Sequence, residues 1–193
     1  FVFQFKFPLE AARGFSLLDK NPPVIAINST DNILARIFTL FHEYAHILLG
    51  ITEIYQEEVY KDQQIENWCD TFASEILVPE SALKKDEDFQ KFSTSKQIQP
   101  DLLEQLSQKF KVSKKAILTR LRTLNLITFD EYQEQSKKLE QTYQPKKKGF
   151  ITPAQRCIQE KGPSFISYVL QSKEKGIITT HDALECFLLS LSI

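Results

Sequence analysis

Two of the three histidines in this sequence stand four residues apart around a glutamate, in the segment His42-Glu43-Tyr44-Ala45-His46. On an α-helix, residues i and i+4 lie on the same face, so both imidazoles can reach one metal ion. Imidazole is a common zinc ligand, and a carboxylate beside the metal can take a proton from the water that attacks a substrate. The spacing therefore predicts a zinc hydrolase in which His42 and His46 bind Zn²⁺ and Glu43 is the general base.

A catalytic zinc ion usually has three protein ligands and one open position, so we expect a third ligand downstream. Glu66 and Asp70 are the best candidates, because their spacing of four places both on one face of a second helix. In this interpretation Glu66 binds the metal, and Asp70 accepts a hydrogen bond from the far nitrogen of a ligand histidine.

Three alternatives to this interpretation stay open. A five-residue match of this kind also occurs by chance. Glu66 and Asp70 could instead form a solvated helix face. Cys69 could be a fourth, sulfur ligand of a closed structural site, although its aromatic neighbours favour a core position.

The elements that would position these residues follow from hydrophobic period and turn residues. Phenylalanine at every second position of residues 1–7 predicts a half-buried strand, and residues 14–18 and 24–27 predict two more. The simplest arrangement is a small antiparallel sheet. We expect its segment Val24–Asn28 to bind an extended substrate by pairing at a sheet edge.

The metal-binding residues themselves fall on two predicted helices. Ser29, Thr30 and Asp31 offer N-cap side chains, an apolar helical pattern follows, and Gly50 is a typical C-terminal stop. Because this helix is apolar on most sides, we expect it to be central and buried. A second helix is predicted over residues 63–77, with Trp68 among the residues that pack it against the first.

Two shorter helices at residues 102–110 and 114–124 are separated by a tight turn with Ser113 as N-cap, which predicts a helix-turn-helix. Residues 109–122 contain no acid, and residues 146–148 add three more lysines. Such a stripe can contact nucleic-acid phosphates. The alternative is a solvated face on helices that brace the peptidase. The candidate basic residues are Lys109, Lys111, Lys114, Lys115, Arg120 and Arg122.

The predicted fold class is α+β: a small sheet packed on the two metal-bearing helices, followed by helical subdomains. We divide the chain into a zinc peptidase core at residues 1–97, a helix-turn-helix-like region at 98–144 and a small helical unit at 150–193. Thr152 and Pro153 open the last unit as N-cap and first helical residue.

Bulk properties favour a protein of the cytoplasm. The net charge of −1 indicates no particular partner, and three widely spaced cysteines are typical of reduced thiols. The sequence has no run of 18 apolar residues, so we expect no membrane span. It also lacks methionine, so Phe1 is not a native start.

Residues 36–50 and 65–79, which contain the two proposed metal motifs, resemble the ImmA/IrrE family of zinc metallopeptidases, as do residues 23–28. The resemblance implies that His42, His46 and Glu66 bind zinc and that Glu43 is the base. Asp70 stands where the family often has Asn or Asp. Trp68-Cys69 and Val78 depart from the common pattern without removing a proposed ligand.

The resemblance further implies a protein substrate, typically a helix-turn-helix transcriptional repressor. We therefore predict a zinc endopeptidase of narrow specificity. The alternative is a DNA-binding or partner-binding regulator that keeps a peptidase-like core without turnover. A second oxyanion donor is expected, and Tyr55, Tyr60 and His181 are candidates for it.

Overall fold

The computed structural model describes residues 1–7, 12–18, 21–51, 63–95, 98, 101–142 and 152–188. These residues form three strands and then ten helices, which confirms the predicted α+β class. The strands are β1 (Val2–Phe5), β2 (Gly14–Leu17) and β3 (Val24–Asn28). The helices are α1 (Ile33–Leu49), α2 (Gln63–Leu77), α3 (Glu80–Leu83), α4 (Glu87–Ser95), α5 (Leu102–Phe110), α6 (Lys114–Thr123), α7 (Phe129–Thr142), α8 (Pro153–Lys161), α9 (Pro163–Glu174) and α10 (Thr180–Leu188).

The sheet is mixed, with the strand order β1-β3-β2. β2 pairs antiparallel with β3 as expected, whereas β1 pairs parallel with it. The expectation of an all-antiparallel sheet is therefore wrong, because alternation fixes which side chains face the core but not the direction of the strand. The expected edge pairing at Val24–Asn28 is also wrong, since β3 is the central strand and both of its edges are occupied.

The N-cap of α1 lies one residue after Asp31, the last of the three predicted N-cap residues. The N-cap is Asn32, whose side chain accepts a hydrogen bond from the Leu34 amide at 2.8 Å. Gly50 ends the helix in the left-handed conformation, with φ of 71°. The expectation that α1 is buried on most sides is wrong, because Ile33 and Leu48 are 55% and 53% exposed.

α2 has the predicted bounds and packs on both α1 and α6. Phe72 contacts Tyr44 of α1, with ring centroids 6.2 Å apart. Trp68 is 43% exposed and stacks on Phe72 at 5.5 Å. Ser74, which is buried, faces α6, where its hydroxyl oxygen lies 3.3 Å from that of Thr123.

The largest hydrophobic core lies in the helices that follow α2. It runs from Val78 to Ile127 and includes Phe89 and Phe92 of α4, a helix that the periodicity analysis did not predict. Ser113 caps α6 as expected, its hydroxyl accepting from the Ala116 amide. This core holds residues on both sides of position 97, and the proposed three-part division of the chain stays a prediction.

Two of the C-terminal helices, α8 and α9, pack on the edge strand β1. Thr152 and Gln155 form a capping box at the start of α8. Phe165 of α9 contacts the rings of Phe1 and Phe3 with centroid distances of 5.5 and 5.0 Å. None of the helices in the described ranges is long and apolar enough to cross a membrane.

Candidate active site

α1 and α2 bring three potential metal ligands together. The Nε2 atoms of His42 and His46 are 3.2 Å apart. Each also lies 3.4 Å from a carboxylate oxygen of Glu66, His42 from Oε2 and His46 from Oε1. One helix therefore supplies two imidazoles at i and i+4, and the helix packed against it supplies the carboxylate.

This spacing suits a tetrahedral ion. Ligand bonds of about 2.0 Å in a tetrahedron place neighbouring ligand atoms about 3.3 Å apart, close to the observed separations. Two imidazole nitrogens and one carboxylate oxygen are a donor set of catalytic zinc sites, which keep one position for water or substrate. Cys69 is buried in the core and does not belong to this cluster of ligand atoms.

Asp70 lies behind His42. Its Oδ1 is 3.1 Å from His42 Nδ1, as the Glu-x-x-x-Asp spacing predicted. This contact favours the tautomer with the proton on Nδ1 and leaves Nε2 to face a metal. Although burial lowers the pKa of His42, its hydrogen bonds to Asp70 and Glu66 outweigh burial and raise that pKa to about 10 when no metal is bound.

Arg122 of α6 is a residue of this site that the sequence analysis assigned elsewhere. Its Nη2 lies 2.9 Å from Asp70 Oδ2, so one carboxylate bridges the guanidinium and the His42 imidazole. The pair joins residues 52 positions apart. A local period cannot reveal a contact of that separation, and no other pattern in the sequence indicates it.

Glu43 is almost fully buried, at 3% exposure, and lines a cleft together with His42 and Glu66. β2 passes close to Glu43 at Gly14. A Cβ built on Gly14 would lie 3.2 Å from Glu43 Cγ, so the absence of a side chain lets the strand approach the proposed base. Sequence analysis missed this role of Gly14, for which the only signal was a glycine opening a strand.

The cleft has a volume of about 340 Å³. His42, Glu43 and Glu66 line it together with residues 12–14 around the start of β2. The helices that follow also line it, through Ser113, Lys115, Ala116 and Thr119 at the start of α6 and Tyr132 of α7. α6 and α7 thus line the same cleft as the metal-ligand cluster.

The six candidate nucleic-acid contacts do not share one environment. Lys109 bonds to Asp86 and Asp88 at 2.8 and 2.6 Å, and Lys114 pairs with Glu104. Lys111 is exposed at the end of α5, whereas Lys115 lines the cleft.

The two arginines of the basic stripe point into the protein. Arg120 is 2% exposed, pairs with Glu75 and donates to the Val78 carbonyl at 3.0 Å, and Arg122 pairs with Asp70. Residues 109–122 contain no acid, but carboxylates from outside this segment pair with Lys109, Lys114, Arg120 and Arg122.

Of the three candidate oxyanion donors, His181 is the one among the described residues, and the structure does not bring it to the site. It is exposed on α10, lies 3.5 Å from Glu185 and does not line the cleft. Tyr55 and Tyr60, like the lysines at 146–148, lie outside the described residues. Tyr132, which the sequence analysis did not single out, lines the cleft.

A comparison with protein families agrees with this geometry. The family model Peptidase_M78, described as the IrrE N-terminal-like domain, matches residues 1–122. The chain belongs to the IrrE N-terminal-like peptidase family. The resemblance stated from residues 36–50 and 65–79 is thereby confirmed, and a search of curated proteins gave no match.

Membership in the IrrE N-terminal-like family identifies the fold as that of a metallopeptidase. The matched range includes the sheet, both ligand-bearing helices and α6 as far as Arg122. Among the described residues of the cleft, Tyr132 is the one outside the matched range. The cluster of His42, His46 and Glu66 could hold a metal ion, which fits a metallopeptidase.

Proposed function

We propose that this protein is a zinc-dependent endopeptidase that cleaves a specific protein of the cytoplasm. The observation that carries the proposal is the convergence of His42, His46 and Glu66 at 3.2 to 3.4 Å, beside the buried Glu43. The donor set favours zinc over magnesium or calcium, which prefer all-oxygen sites. Family membership supports the peptidase activity.

In the proposed reaction, His42, His46 and Glu66 would hold a zinc ion, which would supply a Lewis acid for the scissile carbonyl and for water. Glu43 accepts a proton from the attacking water on its carboxylate and returns it to the leaving amine. Asp70 holds His42 in the orientation that presents Nε2 to the site. The walls contributed by β2 and α6 restrict access of bulk water to the base of the cleft.

We propose that the substrate pairs with β2 rather than with β3. The Asn28 amide donates to the Arg13 carbonyl at 2.8 Å. Because antiparallel ladders alternate, the backbone groups of Gly14 and Ser16 face away from β3. No strand in the described part of the chain pairs with this edge. An extended peptide bound here would run past Gly14, which lines the cleft beside Glu43.

The proposed substrate is a helix-turn-helix transcriptional repressor. Support for this comes from the resemblance of residues 36–50 and 65–79 to the ImmA/IrrE family. The proposed location is supported by the three cysteines, which are few, odd in number and widely spaced, as is typical of reduced thiols. A cleft walled by two separate structural elements also suits a peptidase of narrow specificity.

Cleavage mapping in the host cell tests this function. The full chain and its Glu43→Gln variant would be expressed in parallel, and newly formed protein N-termini would be identified by mass spectrometry. We expect a small set of Glu43-dependent N-termini, one of them within a helix-turn-helix repressor. Loss of a general base should lower the cleavage rate about 10²- to 10⁴-fold.

Two controls make the result interpretable. Glu134→Gln removes an exposed carboxylate on α7 and should cleave like the parent. Zinc content, measured in the same preparations, should be unchanged in Glu43→Gln. Equal cleavage by the parent and Glu43→Gln would contradict the assignment of the base. Salt-sensitive DNA binding without any cleavage would favour the non-proteolytic regulator instead.

A further inference from the structure

We propose that Arg122 is a positioning residue of the metal site, through which α6 and α7 control the orientation of the ligand His42. This inference rests on the proposed function, because it assigns to Arg122 a task at the same metal site. It assigns the task by geometry: the guanidinium holds Asp70, and Asp70 holds the imidazole.

The Asp70 carboxylate is shared between its two neighbours. Oδ2 lies 2.9 Å from Arg122 Nη2, and Oδ1 lies 3.1 Å from His42 Nδ1. A carboxylate on a short side chain turns readily about its last torsion, which has broad preferences. A hydrogen bond from the guanidinium to Oδ2 removes that freedom and directs Oδ1 at the imidazole. The contact with Oδ1 then fixes the orientation of the imidazole ring.

Arg122 is itself held on two further sides. Its Cζ lies 4.9 Å from the centroid of the Tyr132 ring on α7, within cation–π distance. Its Nη2 also approaches Asn67 Oδ1 of α2 at 3.4 Å. The side chain is only 16% exposed. Arg122 therefore connects α2, α6 and α7 at one point, directly behind the first metal ligand.

This arrangement requires arginine rather than any cation. The planar guanidinium can stack on an aromatic ring while its N–H groups reach a carboxylate and an amide oxygen in different directions. Lysine would supply the charge to Asp70 but not the planar stack on Tyr132. The conservative change Arg122→Lys should therefore restore only part of the effect of Arg122.

The test uses the full chain and metal affinity as its first readout. Zinc affinity would be measured by competition with a chromophoric chelator for the parent, Arg122→Gln and Arg122→Lys. We expect Arg122→Gln to bind zinc about 10- to 100-fold more weakly, the range typical of residues that orient a ligand. Arg122→Lys should fall between them. The visible spectrum of the Co²⁺-loaded protein should shift in Arg122→Gln, since it reports ligand geometry.

A double-mutant cycle separates positioning from general destabilisation. Asp70→Asn keeps the shape of the side chain but removes its negative charge. Either the uncharged carbonyl oxygen or the amide group of the asparagine then faces Arg122. If Arg122 acts through Asp70, adding Arg122→Gln to Asp70→Asn should cause little further loss of zinc affinity. Lys138→Gln, which removes an exposed ion pair with Glu134 on α7, is the matched control and should bind zinc like the parent.

Unchanged zinc affinity in Arg122→Gln would overturn the inference, as would an equal loss in the presence and absence of Asp70→Asn. These results differ from failure of the proposed function. If the parent binds zinc and cleaves while Arg122→Gln is indistinguishable from it, only the role of Arg122 is refuted. If the parent binds neither zinc nor Co²⁺, both proposals are refuted together.

Discussion

Gly14 of β2 lies directly against Thr39 of α1, so close that a Cβ at position 14 would come within 2.5 Å of Thr39 Cγ2. The same atom would lie 3.0 Å from the Ala26 carbonyl oxygen. Side chains do not tolerate a carbon–carbon contact of 2.5 Å, so any substitution must change the Thr39 rotamer or move the strand or the helix. The contact therefore fixes the distance between the β2 edge and the proposed base on α1.

Gly14→Ala should impair cleavage more than zinc binding. The added methyl group displaces β2 from Thr39 and Glu43, whereas the three ligands on α1 and α2 do not contact it. We expect a stability loss of about 1–3 kcal/mol, typical of an overpacked site. Cleavage rate, zinc affinity and urea unfolding of the same preparations would be compared.

A second substitution tests whether the Thr39 methyl group is responsible. Thr39→Ser removes the clashing Cγ2 atom and keeps the hydroxyl group. The damage from Gly14→Ala should then be smaller in the Thr39→Ser protein than in the parent. Equal damage in both backgrounds would show that β2 is positioned by other contacts.

Zinc binding should release at least one proton at neutral pH. The pKa of His42 is about 10 in the metal-free protein, because its bonds to the Asp70 and Glu66 carboxylates outweigh burial, which lowers the pKa. Below that pKa the imidazole carries two protons, and metal binding requires the neutral form. Apparent zinc affinity should therefore rise about tenfold per pH unit for each proton released.

Calorimetry in buffers of different ionisation enthalpy would count these protons between pH 6 and pH 8. Asp70→Asn weakens the interaction that favours the charged imidazole, so this variant should release fewer protons at the same pH. A zinc affinity independent of pH in this range would refute the account of His42.

Asp86 should stabilise the fold in its charged form. Partial burial raises its pKa, but hydrogen bonds from Lys109 and from the Phe89 and Asp88 amides outweigh burial and lower the pKa below its usual 3.8. Stability from such a group is present above the usual pKa and is lost as pH falls through the lower native pKa. Asp86→Asn should cost about 1 kcal/mol at pH 7.

The pH dependence distinguishes charge from capping at this position. Asparagine is as good an N-cap as aspartate, so Asp86→Asn isolates the charge, whereas Asp86→Ala also removes the bonds to the amides. The difference between the parent and Asp86→Asn in urea unfolding should shrink below about pH 4. A difference that stays constant down to pH 2 would mean that the charge has no role.

Local spacing predicted the metal-ligand cluster because the relevant geometry is local. His42 and His46 share a helix face at i and i+4, as do Glu66 and Asp70, and α2 has the predicted bounds. Only the packing of α1 on α2 had to be assumed. The Phe72 ring of α2 contacts the Tyr44 ring of α1 within that packing.

The features that sequence analysis missed depend on contacts between distant residues. The direction of β1 and the central place of β3 are set by how strands pair, which alternation does not encode. The sequence pattern of α6 indicates a basic surface stripe because the acidic partners of its arginines, Asp70 and Glu75, come from another helix. α4 was detectable, since Asp86 before Phe89 and Phe92 is a typical helix start.

Diffraction at the zinc absorption edge tests the central claim most directly. Crystals of the full chain grown with stoichiometric zinc should give one strong anomalous peak between α1 and α2. The peak should lie about 2.0–2.2 Å from Nε2 of His42, Nε2 of His46 and a carboxylate oxygen of Glu66, with one position open. A peak elsewhere, or Glu66 turned away from the two imidazoles, would contradict a catalytic zinc site here.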